Sequence, residues 1–165
     1  MHGRAYVNGK FVDPRVKYCH WLDFVLGLFE VYERGGETVV LTDGAGHISE
    51  GPGFKVPAVS GRRIVTPAAG VLERISRRTA IELASAAGLA VEQRALPVAE
   101  LCAADEVFLS STGGGVIPVA QIDGVPACGR APGGKSGPIG TSLQAAYRAL
   151  RENPRYVEAK AHATS

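Results

Sequence analysis

At 165 residues, with 45% hydrophobic and 21% charged side chains, the sequence has the size and balance of one globular domain and not of a disordered chain. Its 18 Lys and Arg against 16 Asp and Glu leave a net charge of +2 with the signs interleaved, which argues against electrostatic capture of nucleic acid or an acidic membrane. No apolar run approaches the roughly 20 residues of a membrane-spanning helix, and Met1-His2-Gly3-Arg4 leads into no signal-peptide core, so a cytoplasmic protein is expected.

Residues 5–12 read as an opening strand hairpin. Residues 20–34 place Trp21, Phe24, Val25, Leu28 and Tyr32 at helical spacing, and Gly35-Gly36 supplies the stop. Thr38 to Leu41 is β-branched and apolar, and the glycines of Asp43-Gly44-Ala45-Gly46 suit a turn before His47-Ile48-Ser49, so a hairpin is predicted. A second hairpin pairs residues 56–59 with 63–66 across Ser60-Gly61, Pro57 marking an edge or bulge. Ala80, Leu83, Ala84 and Ala87 share a helical face that begins near Ser76, read as the N-cap, and stops at Gly88.

Glu106 to Leu109 is a predicted strand that runs into Ser111-Thr112-Gly113-Gly114-Gly115, and strand character resumes over 116–122. Residues 124–140 read as connection, and Thr141 with Gln144 forms a capping-box pattern opening a last helix. With no internal repeat or long linker, the elements point to a mixed α/β or α+β domain of antiparallel hairpins. Cys19, Cys102 and Cys128 are widely spaced, with no CxxC pair and no His at ligand spacing, so neither a disulfide framework nor a metal site is expected.

Chemistry concentrates in a few places. Lys17 precedes the aromatic helix, and Glu50 ends a hairpin before Gly51-Pro52-Gly53; on residue chemistry alone both read first as ordinary solvated charged side chains. The turn 74–77 enters a helix, whose first amides and dipole suit either a phosphate or a simple cap. The loop 110–115 is either an anion-holding nest or a glycine-rich hairpin loop. Residues 129–136 match the Walker A pattern GxxxxGK[ST], but Gly137-Pro138 follows where a helix should open and the preceding segment is proline-broken, so a nucleotide site at Lys135 is not expected.

Four segments, in order, carry a resemblance to a known family. They are Val-Lys-Tyr-Cys-His-Trp (16–21), Leu-Thr-Asp-Gly-Ala-Gly-His-Ile-Ser-Glu-Gly-Pro-Gly-Phe (41–54), Thr-Pro-Ala-Ala-Gly-Val-Leu-Glu-Arg-Ile-Ser-Arg-Arg (66–78) and Ala-Asp-Glu-Val-Phe-Leu-Ser-Ser-Thr-Gly-Gly-Gly-Val-Ile-Pro-Val (104–119). Together they resemble the C-terminal half of the class IV aminotransferases, the pyridoxal-phosphate family that includes the branched-chain and D-amino acid aminotransferases. The Gly-Pro-Gly-Phe wording is most similar to the branched-chain and R-selective amine transaminase branches. The resemblance implies a C-terminal domain of fold type IV over residues 14–151, with a short strand or remnant at 1–13 and a disordered tail at 152–165.

It further implies pyridoxal phosphate as cofactor and transfer of an amino group between an amino acid or amine and a 2-oxo acid. Lys17 takes the place of the lysine that bonds to the cofactor aldehyde and shuttles the substrate proton. Glu50 matches the carboxylate facing the pyridine nitrogen. Ile75 and Ser76 match the phosphate-binding turn, and Thr112 a second phosphate-binding hydroxyl. Gly113 and Gly114 border the substrate carboxylate. A homodimer, or a partner chain supplying an N-terminal domain, is implied by the same resemblance.

Several positions depart from the family pattern. Arg74 stands where Gly commonly precedes Ile-Thr, Lys55 where Asn commonly follows Gly-Pro-Gly-Phe, and Leu22 where Gly commonly follows Trp. Ser76 replaces the usual Thr and keeps the hydroxyl. The smaller N-terminal domain of such enzymes is almost absent from this sequence. Two further readings are therefore carried: an impaired or non-catalytic remnant, and a lyase acting on an aminodeoxychorismate-like substrate.

Overall fold

Residues 2–3, 6–7, 10–11, 21–68, 75–123, 125–126 and 137–153 are described by a computed structural model. Lys17, Arg74, the Walker-like loop 129–136 and residues 154–165 lie outside the described residues.

Three short strands come first: β1 (His2–Gly3), β2 (Tyr6–Val7) and β3 (Lys10–Phe11). β2 and β3 pair antiparallel, as expected of an opening hairpin. Helix α1 (Leu22–Glu33) follows, then β4 (Leu41–Thr42), to which β1 is parallel. The helix forms where the spacing predicts, but its buried face is narrower than expected: Trp21, Val25 and Tyr32 are exposed. Phe24, Leu28 and Val31 fall on one face and pack against Val39 and Leu41. Gly35, at φ 75°, ends the helix.

The main sheet contains β5 (Phe54–Lys55), β6 (Ala58–Ser60), β7 (Arg63–Thr66), β8 (Ala90–Gln93), β9 (Glu106–Ser111) and β10 (Gly115–Pro118). Helix α2 (Ile75–Ala86) connects β7 to β8, and the short α3 (Val98–Cys102) precedes β9. A small ribbon of β11 (Gln121–Ile122) and β12 (Val125–Pro126) leads toward α4 (Pro138–Glu152). Strand order is β10-β9-β6-β7-β8, with β5 also paired to β9. Every pairing in this sheet is antiparallel except β7 with β8. That parallel pair corrects the expectation of antiparallel hairpins alone. It arises because a helix, not a turn, joins the two strands.

Neighbouring strand residues divide between the two faces, as a period of two requires. Ala58, Val65 and Val107 join Ile48, Phe54, Leu96 and Leu101 in one buried cluster. Val59, Ile64 and Phe108 join Ala80, Ala84 and Leu143 of α2 and α4 in the other. The 47–50 segment lies on the first face: Ile48 N–H donates to Leu96 O (2.7 Å), and Ser49 N–H to Leu41 O (2.9 Å).

Two helix starts differ from the sequence reading. α2 begins at Ile75, so Ser76 lies within its first turn and is not the N-cap. α4 begins at Pro138, three residues before the predicted Thr141 cap, because proline suits the first helical position. The Thr141 hydroxyl instead donates back to Gly137 O (2.8 Å), and the Glu106 carboxylate of β9 accepts the Ile139 and Gly140 N–H groups at 3.1 and 2.8 Å. Glu152, expected in the tail, closes α4.

Candidate active site

Glu50 is positioned by a turn written in its own sequence. Gly51-Pro52-Gly53-Phe54 has proline and glycine at the two central positions of a type II turn, and Gly53 takes φ 82°. Gly51 and Phe54 exchange both backbone hydrogen bonds, at 3.1 and 3.3 Å. A Cβ on Gly51 would lie 2.1 Å from the Phe54 ring, so this closure requires glycine. Residues 50 and 55 consequently face each other across the ribbon.

Their side chains form a buried ion pair, Lys55 Nζ to Glu50 Oε2, with side-chain exposures of 1% and 7%. Lys55 is among the largest fully buried side chains of the described residues. A lysine is rarely buried this far without a paired charge. The sequence reading noted Lys55 only as a departure and missed the pairing. The signal was present in the Pro-Gly turn, which sets residues 50 and 55 opposite each other.

β5 carries this pair to the next part of the site. Lys55 is in register with Ser110 and Phe54 with Ser111, at the root of the β9–β10 turn. Thr112, Gly113 and Gly114 form the exposed tip. Within the turn, Gly114 N–H donates to Ser111 Oγ (2.9 Å), and Arg151 of α4 donates to Gly113 O (3.3 Å). Gly115 closes the turn at φ 67°, where a Cβ would lie 2.7 Å from the Tyr147 ring.

The start of α2 is anchored by Arg77, a buried guanidinium that donates to Pro67 O and Gln93 Oε1, both at 2.9 Å. It ties the first helical turn to the ends of β7 and β8. Beside it, Ser76 is buried and its hydroxyl makes no hydrogen bond among the described residues. Thr66 Oγ1 and Ser110 Oγ are likewise buried without a partner, and these two residues and Arg77 line one small cavity. Buried polar atoms are nearly always satisfied, so the Ser76 hydroxyl in the first turn of α2 stands out as a group that a polar ligand would satisfy. Arg77 and Ser110 lie in the 74–77 turn and 110–115 loop that the sequence offered as anion sites, without being named individually; Thr66 was not singled out, because nothing in its local pattern distinguishes it from an ordinary strand position.

The structure thus links Glu50 to the 110–114 turn through Lys55, and Ser110 to Arg77 in the first turn of α2 through the cavity. Leu22, one of the departures, is exposed on α1. No helix among the described residues is long and apolar enough to cross a membrane.

Residues 4–122 match the model of the family described as amino-transferase class IV. The chain belongs to the class IV aminotransferases. It is 31% identical over 156 residues to branched-chain-amino-acid aminotransferase-like protein 2 of Arabidopsis thaliana, covering 90% of this chain and 27% of that protein. Among solved structures, the branched-chain amino acid aminotransferase of Thermobaculum terrenum in its PLP form superposes with a TM-score of 0.80 at 31% identity, over 94% of this chain and 52% of that one. The Escherichia coli branched-chain amino acid aminotransferase superposes at 0.78 and 29% identity, over 90% and 51%. The class IV chain described here therefore spans about half the length of these solved structures. Its fold is that of fold type IV branched-chain aminotransferases.

Proposed function

We propose that the chain forms the pyridoxal-phosphate site of an aminotransferase acting on a branched-chain-like amino acid, or an amine, and a 2-oxo acid. The observation that carries this reading is the buried, unpartnered Ser76 hydroxyl in the first turn of α2. A phosphate oxygen there would satisfy it, and the Ile75 and Ser76 amides sit at the positive end of a 12-residue helix. The donor set fits the cofactor: hydroxyls and amides for the phosphate, and a buried carboxylate on the far ribbon for the ring.

When bound, pyridoxal phosphate supplies an aldehyde that bonds to amines and a ring that withdraws electrons from the substrate carbon. Lys17 would carry the covalent link through Nζ and then move the proton released at the substrate α-carbon. Thr112 would add a second hydroxyl donor to the phosphate. Gly113 and Gly114, lacking side chains, would let the substrate carboxylate approach the turn closely. Glu50 would face the ring nitrogen. The branched-chain names of the relatives support the substrate class.

The test is to mix the purified chain with pyridoxal phosphate, reduce with borohydride and map the labelled peptide. Label on Lys17, with L-leucine and 2-oxoglutarate turned over by the parent and not by Lys17→Ala, is expected. Label scattered over surface lysines, or substantial turnover by Lys17→Ala, overturns the reading.

A further inference from the structure

The last turns of α4 lie beside the 112–114 turn, and a cavity of about 360 Å³ opens between them, lined by Gly114 and Val116 on one side and by Gln144, Tyr147, Arg148 and Arg151 on the other. Residues 144, 148 and 151 follow each other at four- and three-residue spacing, so they share one face of the helix. A helix C-terminus favours cations, which accounts for two arginines there. It does not account for their lack of counter-charges. Arg34, Arg63, Arg78 and Arg94 each pair with a glutamate, and Arg62 and Arg77 each hold two neutral acceptors. Arg148 makes neither an ion pair nor a hydrogen bond among the described residues, although Glu152 stands one helical turn away. Arg151 uses one N–H on the neutral Gly113 O (3.3 Å) and has no carboxylate partner among the described residues, so its other donors remain for a ligand.

We propose that this cavity is a binding site for a small oxyanion, a phosphate or a carboxylate, held between Arg148 and Arg151. Guanidinium groups present planar forks of N–H donors that match the oxygens of either anion. Gln144 and Tyr147 bring a neutral amide and a hydroxyl to the same lining. Glu152 also lines the cavity and offsets one of the two positive charges, which suits a compact anion and disfavours a long polyanion. Through the bond from Arg151 to Gly113 O, an anion bound here is coupled to the 112–114 turn. The site is separate from the cofactor reading and stands without it.

The experiment titrates the ¹⁵N-labelled full chain with inorganic phosphate in one arm and succinate in the other, at ionic strength held constant with chloride, and reads the backbone amide shifts. Saturating shifts at Gly113, Gly114 and residues 147–152 are expected, and the anion that saturates at the lower concentration names the source. Arg148→Gln and Arg151→Gln should each weaken binding by about 10-fold, the value of a hydrogen bond to a charged group. Both side chains are exposed, so neither change threatens the fold. Ser76→Ala should leave this affinity unchanged, which separates the site from phosphate binding at the start of α2. Shifts that fail to saturate with either anion overturn the proposal. So do saturating shifts at these residues that persist at parent affinity in Arg148→Gln, and shifts that vanish in Ser76→Ala.

Discussion

The carboxylate of Glu106 on β9 occupies the space that a side chain on Gly137 would need: a Cβ built there lies 1.9 Å from Glu106 Cδ. In return the carboxylate accepts two amides of the first turn of α4, a helix without a side-chain cap of its own. One acidic residue thus ties the last helix to the central strand. Glu106→Ala leaves those amides without their partner and is expected to lower stability by about 1–3 kcal/mol. Gly137→Ala, which must expel the carboxylate, should cost a comparable amount. Urea unfolding of both variants checks this, and parent-like midpoints would refute it.

The buried Glu50–Lys55 pair predicts a characteristic mutational pattern. Glu50→Leu or Lys55→Met alone takes the ion-pair partner from a buried charge and should destabilise by about 3–5 kcal/mol. The double variant removes both charges and should lie closer to the parent than either single change. A double-mutant cycle in urea reads this coupling, and simple additivity of the two losses would contradict it.

Acid stability should depend on Asp43. Partial burial works to raise its carboxyl, but N–H donation from His47 (2.8 Å) and Ala45 (2.9 Å), with the His47 ring at 3.0 Å, outweighs this and holds it below its ordinary value of 3.8. The stabilisation is therefore complete above the unfolded value and is lost as pH falls through the lower folded one. Glu100, held below its usual range by hydrogen bonds from Arg94, adds in the same direction. Asp43→Asn is expected to lose less stability than the parent between about pH 7 and about pH 3. Denaturation midpoints at the two pH values make the comparison, and equal losses would refute the role of Asp43.

The Ser76 hydroxyl should matter to the cofactor and little to the fold. It bonds to no group among the described residues, so Ser76→Ala should keep the parent unfolding midpoint. The same change should weaken pyridoxal-phosphate binding by about 10-fold or more, the value of a hydrogen bond to a charged group. Ser76→Thr retains the hydroxyl and should bind within a few-fold of the parent. Titration of the cofactor's visible absorption decides, and unchanged affinity in Ser76→Ala would contradict the phosphate assignment.

Much of this molecule was legible from local pattern. Phe24 and Leu28 announce part of the buried face of α1, Gly35 its end, and the Ser60-Gly61 turn the hairpin of β6 with β7, because each depends only on residues within a few positions, whereas Trp21, Val25 and Tyr32, read onto the same face, are exposed. β8 escaped because Ala90-Val91-Glu92-Gln93 is short and half polar, and its partner β7 is reached only across α2. The cap on α4 escaped for a related reason. Its acceptor, Glu106, lies more than 30 residues away, while Thr141 offered a local pattern that the proline at 138 made unnecessary.

The family, its four ordered segments and the turn that sets residue 50 against residue 55 were determined by the sequence alone, since chain geometry and residue identity suffice for them. Tertiary structure decided that Glu50 and Lys55 lose their water together and that Ser76, Thr66 and Ser110 are buried with their hydroxyls unused. Burial is a property of everything packed around a side chain, and the strands and helices that cover these residues come from distant parts of the chain.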